Sequence, residues 1–311
     1  MKIVYFGSPR FSAKLLKTIS EDFEILAVVT QRKKPVGRGL KLRSTAVAQL
    51  AQSLKFKTFE VGSKNDLLNK DLLSFLEKSD FALVYAFGFI IPEDLLVLPK
   101  FGFLNVHPSL LPKFRGPSPV VYPLALGESS TGVSIIKMDS LMDHGPLIFQ
   151  ERVSISEDDF VEELVIKLTR ISAQFLVMLP YKGLDNLKFI EQNHAFATYT
   201  RLLNREDGYL PQSVFEALEK LDNIKFCSIF VPDFLRDYMK NYNQSLGDNY
   251  SLFSLFRALY PWPGLYTYVG RQKKRLKIIE VTKENQITKV QLEGKPVVAV
   301  ENIGKYLSNF Q

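Results

Sequence analysis

The sequence predicts an α/β domain on a mostly parallel sheet, followed by a smaller domain of helices and short strands. Two observations carry the first part. Short apolar runs rich in Val, Ile, Phe and Tyr alternate with longer segments whose apolar residues recur at helical spacing. Such strand–helix alternation builds parallel sheets with right-handed crossovers. A third observation is a change of pattern beyond Leu187, where helical segments give way to short alternating runs.

In chain order, strands are expected at 2–6, 25–29, 81–86, 102–107, 132–138 and 147–154, and helices at 13–19, 45–54, 65–77 and 160–179. The polar stretch 198–208 reads as a linker. Helices are then expected at 211–221, 234–242 and 251–259, and short strands at 265–269, 276–281, 288–292 and 297–300. The expected division is a first domain at 1–185, a linker at 186–208 and a carboxyl-terminal domain at 209–311. That last domain combines a helical insert at 211–259 with a small antiparallel sheet or barrel at 260–311.

Composition narrows the function. The 311 residues are 46% hydrophobic, enough for two cores, and no uninterrupted apolar run reaches the roughly 20 residues that span a bilayer. The amino terminus, Met1 to Gly7, reads as a first strand rather than a signal peptide. A single cysteine, Cys227, excludes an intrachain disulfide and a cysteine-based metal cluster and suits an apolar filler. These features point to a cytoplasmic chain without a membrane partner. The net charge of +7 permits a polyanionic partner without demanding one. The first turn, Gly7-Ser8-Pro9-Arg10-Phe11, lacks the spacing of a dinucleotide-binding loop, which argues against nicotinamide or flavin.

The chemistry concentrates in Asn105-Val106-His107-Pro108-Ser109-Leu110-Leu111-Pro112. Side chains at i and i+2 of a strand share a face, so Asn105 and His107 project together, and Pro108 ends the strand. Carboxyl ends of parallel strands are where ligands bind. A carboxylate follows in the loop after strand 132–138, where Asp143 and Asp139 compete and spacing does not choose between them. An amide, an imidazole and a carboxylate suit transfer of a carbonyl group to an amine. The amide would bond the developing oxyanion and the imidazole would shuttle the amine proton. Ser109 lies close to His107 but sits in no GxSxG turn, which favours direct transfer over a covalent intermediate.

A second feature is the segment 30–43. Its stretch 32–43 carries Arg32, Lys33, Lys34, Arg38, Lys41 and Arg43 and no acid, with glycines and prolines between them. Such a self-repelling segment suits phosphates. Another basic cluster, 271–277, is consistent with RNA contact or with ordinary solvated charge. Trp262, between Pro261 and Pro263, reads as a packed corner, and His144 and His194 receive no role.

Taken together, Asn-Val-His-Pro-Ser-Leu-Leu-Pro with Arg115-Gly116, Asp143-x-Gly145, the basic loop after the second strand, and Tyr85-Ala86-Phe87-Gly88-Phe89-Ile90-Ile91-Pro92 resemble the folate-dependent formyltransferases. The likeness is strongest to the branch that acts on an aminoacyl-tRNA. It runs through residues 1–180 and resumes at 201–208 and 260–264. It implies the Rossmann-like formyltransferase fold and a one-carbon transferase of translation initiation. Asn105, His107 and Asp143 would be the catalytic trio that moves a formyl group from 10-formyltetrahydrofolate. Ser109, Leu110, Leu111 and Pro112 would contact the folate, with Phe89 and Ile91 beside its pterin. The acceptor would be the α-amino group of methionine esterified to initiator tRNA. Arg38 would contact the acceptor stem, with Lys33, Lys34, Lys41 and Arg43 around it. No metal is implied, and the chain is expected to act as a monomer.

The carboxyl-terminal part departs from the family, with the helical insert and a strand region of about half the usual length, so RNA contacts do not carry over there. An N-formyltransferase acting on a nucleotide-linked amino sugar shares the trio and the Pro-Trp-Pro-Gly element; the long basic arm argues for tRNA. A formyl-folate hydrolase and a non-catalytic RNA-binding module are the remaining alternatives.

Overall fold

The computed structural model describes residues 1–36, 41–215 and 230–302. Of the sequence expectations, Arg38, Cys227 and part of the helix at 211–221 lie outside them. The chain divides into two compact units. One comprises Met1–Arg115, Gly132–Val153 and Val165–Ala197; the other comprises Gly116–Thr131, Ser154–Leu164 and Thr198–Gln311.

The first unit is organised by a seven-stranded sheet: β1 (Lys2–Gly7), β2 (Glu24–Gln31), β5 (Thr58–Val61), β6 (Phe81–Tyr85), β7 (Phe103–His107), β8 (Ser130–Lys137) and β9 (Leu147–Ser154), in the order β5-β2-β1-β6-β7-β8-β9. The pairs β1–β2, β1–β6, β2–β5 and β6–β7 are parallel, and β7–β8 is antiparallel. The mostly parallel sheet expected from the alternation is present. Val4, Phe6, Ala82, Val84 and Phe103 are buried against Leu67, Leu72 and Leu76, which explains why these strands read as unbroken apolar runs.

Helix α1 (Arg10–Ile19) buries Leu15, Leu16 and Ile19, and α2 (Ala46–Ser53) is capped by Thr45, whose side chain accepts from the Ala48 N–H. The helix expected at 65–77 is broken. A 3₁₀ segment, Lys64–Leu68, precedes α3 (Lys70–Glu77), because Asn69 leaves helical geometry to accept from the Asp71 and Leu72 N–H groups. Short helices α4 (Glu93–Leu96) and α5 (Val121–Leu126) and strand β5 escape a reading by periodicity, being too short to show one.

The expected helix 160–179 ends sooner, as α6 (Val161–Leu176), with a further turn α7 (Leu179–Lys182) opening on Pro180. By length and composition alone, Val161–Lys182 is apolar enough to cross a membrane, although it is not an uninterrupted apolar run. Within it Leu168 and Leu176 are buried, and the Thr169 and Tyr85 hydroxyls bond at 2.8 Å.

The basic segment is more regular than its charge suggests. β3 (Lys34–Val36) and β4 (Lys41–Arg43) pair antiparallel, with Lys34 opposite Arg43.

The second unit holds an antiparallel sheet of β10 (Tyr266–Val269), β11 (Lys274–Val281), β12 (Ile287–Leu292) and β13 (Val297–Ala299) in sequential order. The described part of its helical insert includes Asp233–Tyr242 and Leu252–Leu259. Tyr122 packs edge-on to Phe234 and Tyr238 at ring separations of 5.3 and 5.1 Å. Trp262 is 59% exposed, so the packed corner read from its flanking prolines is not what forms.

Candidate active site

β7 lies between β6 and β8, and its register sets Asn105 opposite Ile136 and His107 opposite Ser134. Leu104 and Val106 are buried, while Asn105 is half-buried. Asn105 and His107, two residues apart, face the loop that joins β8 to β9. That loop is closed at its base by the Lys137 N–H donating to the Pro146 carbonyl at 3.0 Å. Gly145 fits there because a Cβ would collide with the Lys137 carbonyl.

The loop delivers Asp143 rather than Asp139. The Asp143 Oδ1 accepts from the Asn105 amide Nδ2 at 3.2 Å and lies 3.5 Å from His107 Nδ1. Asp139 instead holds His144 Nδ1 at 2.7 Å and the Leu141 N–H at 3.0 Å. The three polar side chains singled out in the sequence therefore meet at one carboxylate oxygen.

Two left-handed residues frame this meeting. Asp143 has φ +50° and Phe114 has φ +60°, conformations that cost a non-glycine residue about 1 kcal/mol or more. The Phe114 carbonyl accepts from His107 Nε2 at 2.9 Å. A carbonyl can only accept, so Nε2 carries a proton, and in the neutral ring the lone pair belongs to Nδ1, on the Asp143 side. The amide of Asn105 is oriented by the same logic. One N–H points to the carboxylate.

The expected folate stretch is tied down rather than loose. Ser109 Oγ donates to the Lys113 carbonyl at 2.8 Å, and Ser134 Oγ receives the Leu111 N–H at 3.1 Å and donates to the Ser109 carbonyl at 2.7 Å. Gln150 Nε2 adds a bond to the Leu111 carbonyl at 2.9 Å. Leu111 and Ile91 are buried, and Leu110, Pro112 and Phe89 are half-buried, with Phe89 against Phe87 at 5.6 Å. Ile90, between Phe89 and Ile91, is 64% exposed.

A cavity of about 800 Å³ opens at the carboxyl ends of β1, β2 and β6, lined by residues that include Ser8, Arg10, Gln31, Arg43, Thr45 and Ala86. The trio does not line it. Its rim includes the basic hairpin through Leu42 and Arg43. Lys33, Lys34 and Arg43 are exposed, and Lys34 Nζ donates to Gln31 Oε1 at 2.7 Å. No group of three or more His, Cys, Asp or Glu side chains suited to a metal occurs among the described residues.

Sequence reasoning misses the two partners that frame the trio. One is the backbone carbonyl of Phe114, which has no side-chain signature. The other is Gln192, whose Nε2 donates to the Asp143 and Gly145 carbonyls at 2.9 and 2.8 Å. A single glutamine in a polar segment gives no period and no motif. His144 and His194, given no role, stack on each other with ring centroids 3.9 Å apart and planes 6° from parallel.

Residues 1–179 match the formyl transferase domain family. A methionyl-tRNA formyltransferase of Kosmotoga olearia is 30% identical over 328 aligned positions, spanning 96% of this chain and 94% of that protein. One from Ehrlichia ruminantium is 37% identical over 202 positions, spanning 64% of this chain and 66% of that protein. Among solved structures, an N-formyltransferase of Helicobacter canadensis, in complex with folinic acid and dTDP-3-aminofucose, superposes with a TM-score of 0.56 at 16% identity. It covers 96% of this chain and 98% of that one. That level of identity speaks to the fold alone.

Proposed function

Since the chain belongs to the formyl transferase family, and within it to the methionyl-tRNA formyltransferases, we propose that it transfers the formyl group of 10-formyltetrahydrofolate to the α-amino group of methionyl initiator tRNA, by direct attack. The observation that carries this reading is the convergence of Asn105 and His107 on one Asp143 oxygen. In the proposed step the amine nitrogen attacks the formyl carbon. The carbonyl electron pair moves to oxygen, where the second N–H of Asn105 bonds the oxyanion; such a donor commonly contributes about 10²–10³ in rate. The amine proton passes to the Nδ1 lone pair of His107, which the Phe114 carbonyl has left available. The new N–H then faces the Asp143 carboxylate, which holds the ring in register. Collapse of the tetrahedral species breaks the bond to the folate nitrogen, which takes the proton back from His107 as it leaves and restores the neutral ring.

The folate would lie along Ser109 to Pro112, with Phe89 and Ile91 beside the pterin. The stretch fits an aromatic carrier: Leu110, Leu111 and Pro112 are apolar and sit on a loop that Ser134 and Gln150 tether through Leu111. Charge supports a polyanionic acceptor. Lys34 and Arg43 stand directly opposite each other in the hairpin, a repulsive pair that a phosphate between them would relieve. Lys33, Lys41 and Arg38 are the further basic residues proposed to bind the tRNA. The action is expected in the cytoplasm, with a single chain as the working unit.

The test is acceptor choice. After incubation with formyl-folate, mass spectrometry is expected to find the formyl group on methionine released from charged initiator tRNA. Formylation of a nucleotide-linked amino sugar, with methionyl-tRNA untouched, would overturn the assignment.

A further inference from the structure

We infer that Gln192 and Arg115 form a brace that sets the distance between the two supports of His107, making Gln192 a positioning residue for the transfer; this rests on the reading above. His107 is held from one side by the Phe114 carbonyl and from the other by Asp143, and both of these residues sit in left-handed conformations. Neither support belongs to a helix or strand. Arg115 follows Phe114 directly, is 1% exposed, and its Nη2 donates to Gln192 Oε1 at 2.7 Å and to His194 Nδ1 at 2.8 Å. The other end of the Gln192 amide donates to the carbonyls of Asp143 and Gly145, on both sides of His144. A single planar group thus ties the residue after one support to the backbone of the other.

The segment carrying Gln192 is itself anchored. Ile190 and Leu147 exchange backbone hydrogen bonds at 2.8 and 2.9 Å, pinning it to the first residue of β9. Gln192 is 4% exposed, so its amide has no water to fall back on if a partner is removed. His194 stacks on His144, which closes the brace against the loop that bears Asp143. Every member of this chain of interactions lies within the first compact unit.

Donation to two carbonyls together with acceptance from a guanidinium is specific to an amide of this length. Gln192→Glu keeps the bond to Arg115 and removes both donors; Gln192→Leu removes all three hydrogen bonds. The predicted result for each variant is a fall in kcat of about 10–100-fold, the scale of a misplacement near 1 Å, with KM for both substrates within about threefold. In an Asp143→Ala background the same substitutions are expected to cost little more, because the residue they position is gone.

A readout independent of the acceptor comes from ¹⁵N NMR of the free protein. With three histidines in the chain, the His107 ring signals can be assigned, and both Gln192 variants are expected to shift them. If Gln192→Leu does not fold, Gln192→Glu decides. Unshifted His107 signals, a kcat within twofold of the parent, or an undiminished loss in the Asp143→Ala background would each overturn the brace. A parent chain that fails to formylate methionyl-tRNA would sink the proposed acceptor instead, and the NMR comparison would still judge the brace.

Discussion

Asp143 shows how little sequence is needed to nominate a side chain and how much structure is needed to aim it. The sequence offers two aspartates in one loop, and their spacing to His107 is equally permissive. What separates them is backbone conformation: Asp143 adopts φ +50° and turns its carboxylate to Asn105 and His107, whereas Asp139 closes on its own loop. Left-handed geometry at a non-glycine residue has no marker in a single sequence. Tyr5 makes a different point at the same scale. It is fully buried on β1, its hydroxyl lies 2.8 Å from both the Ser12 carbonyl and the Ser12 hydroxyl, and burial pushes its phenol well above the ordinary tyrosine range. Tyr85, bonded to Thr169, is pushed the same way. The folded phenols stay protonated while the unfolded ones ionise above about pH 10, so the folded state loses stability as pH rises from there. We expect Tm to drop steeply above about pH 10. Tyr5→Phe should lower Tm at neutral pH, by the loss of a bond worth about 1 kcal/mol, but should decline less steeply in alkali. Parallel alkaline slopes for the two proteins would contradict this account.

Among the elements, the basic hairpin separates charge from architecture. Its composition reads as a solvated run, and the sequence supports a phosphate-binding loop; the pairing of Lys34–Val36 with Lys41–Arg43 is hidden because lysine and arginine occupy positions where alternation would show. Replacing Lys33, Lys34 and Arg43 by Ala is expected to raise KM for charged tRNA at low salt and to flatten its logarithmic salt dependence, by about 0.7–0.9 for each phosphate no longer neutralised. The KM for folate should hold. A salt slope equal to that of the parent would remove the hairpin from RNA binding. The central strands β1, β6 and β7 are legible because they are buried on both faces and read as apolar runs. Breaks inside amphipathic stretches are not. Asn69 ends one helix by capping the next, and its effect depends on a hydrogen-bond choice that hydrophobic period does not record.

For the molecule as a whole, the legible part is the part that follows from chain order. Strand–helix alternation fixes a mostly parallel sheet, and a parallel sheet fixes the edge at which β7 ends, so the position of Asn105 and His107 follows from the order of the chain. The supports from distant segments, Phe114 through its backbone carbonyl and Gln192 through its side-chain amide, become visible only when the chain is folded, since each bond has a backbone carbonyl as its acceptor. The claim on which the account depends is that Asp143 unites an oxyanion donor and a proton shuttle. It is tested most directly by single-turnover formyl transfer to methionyl-tRNA with Asp143→Ala and Asn105→Ala, each first shown by its melting curve to be folded. Each is expected to lose transfer by about 10²–10³-fold or more at saturating folate. A folded Asp143→Ala that transfers formyl within a few-fold of the parent would contradict it.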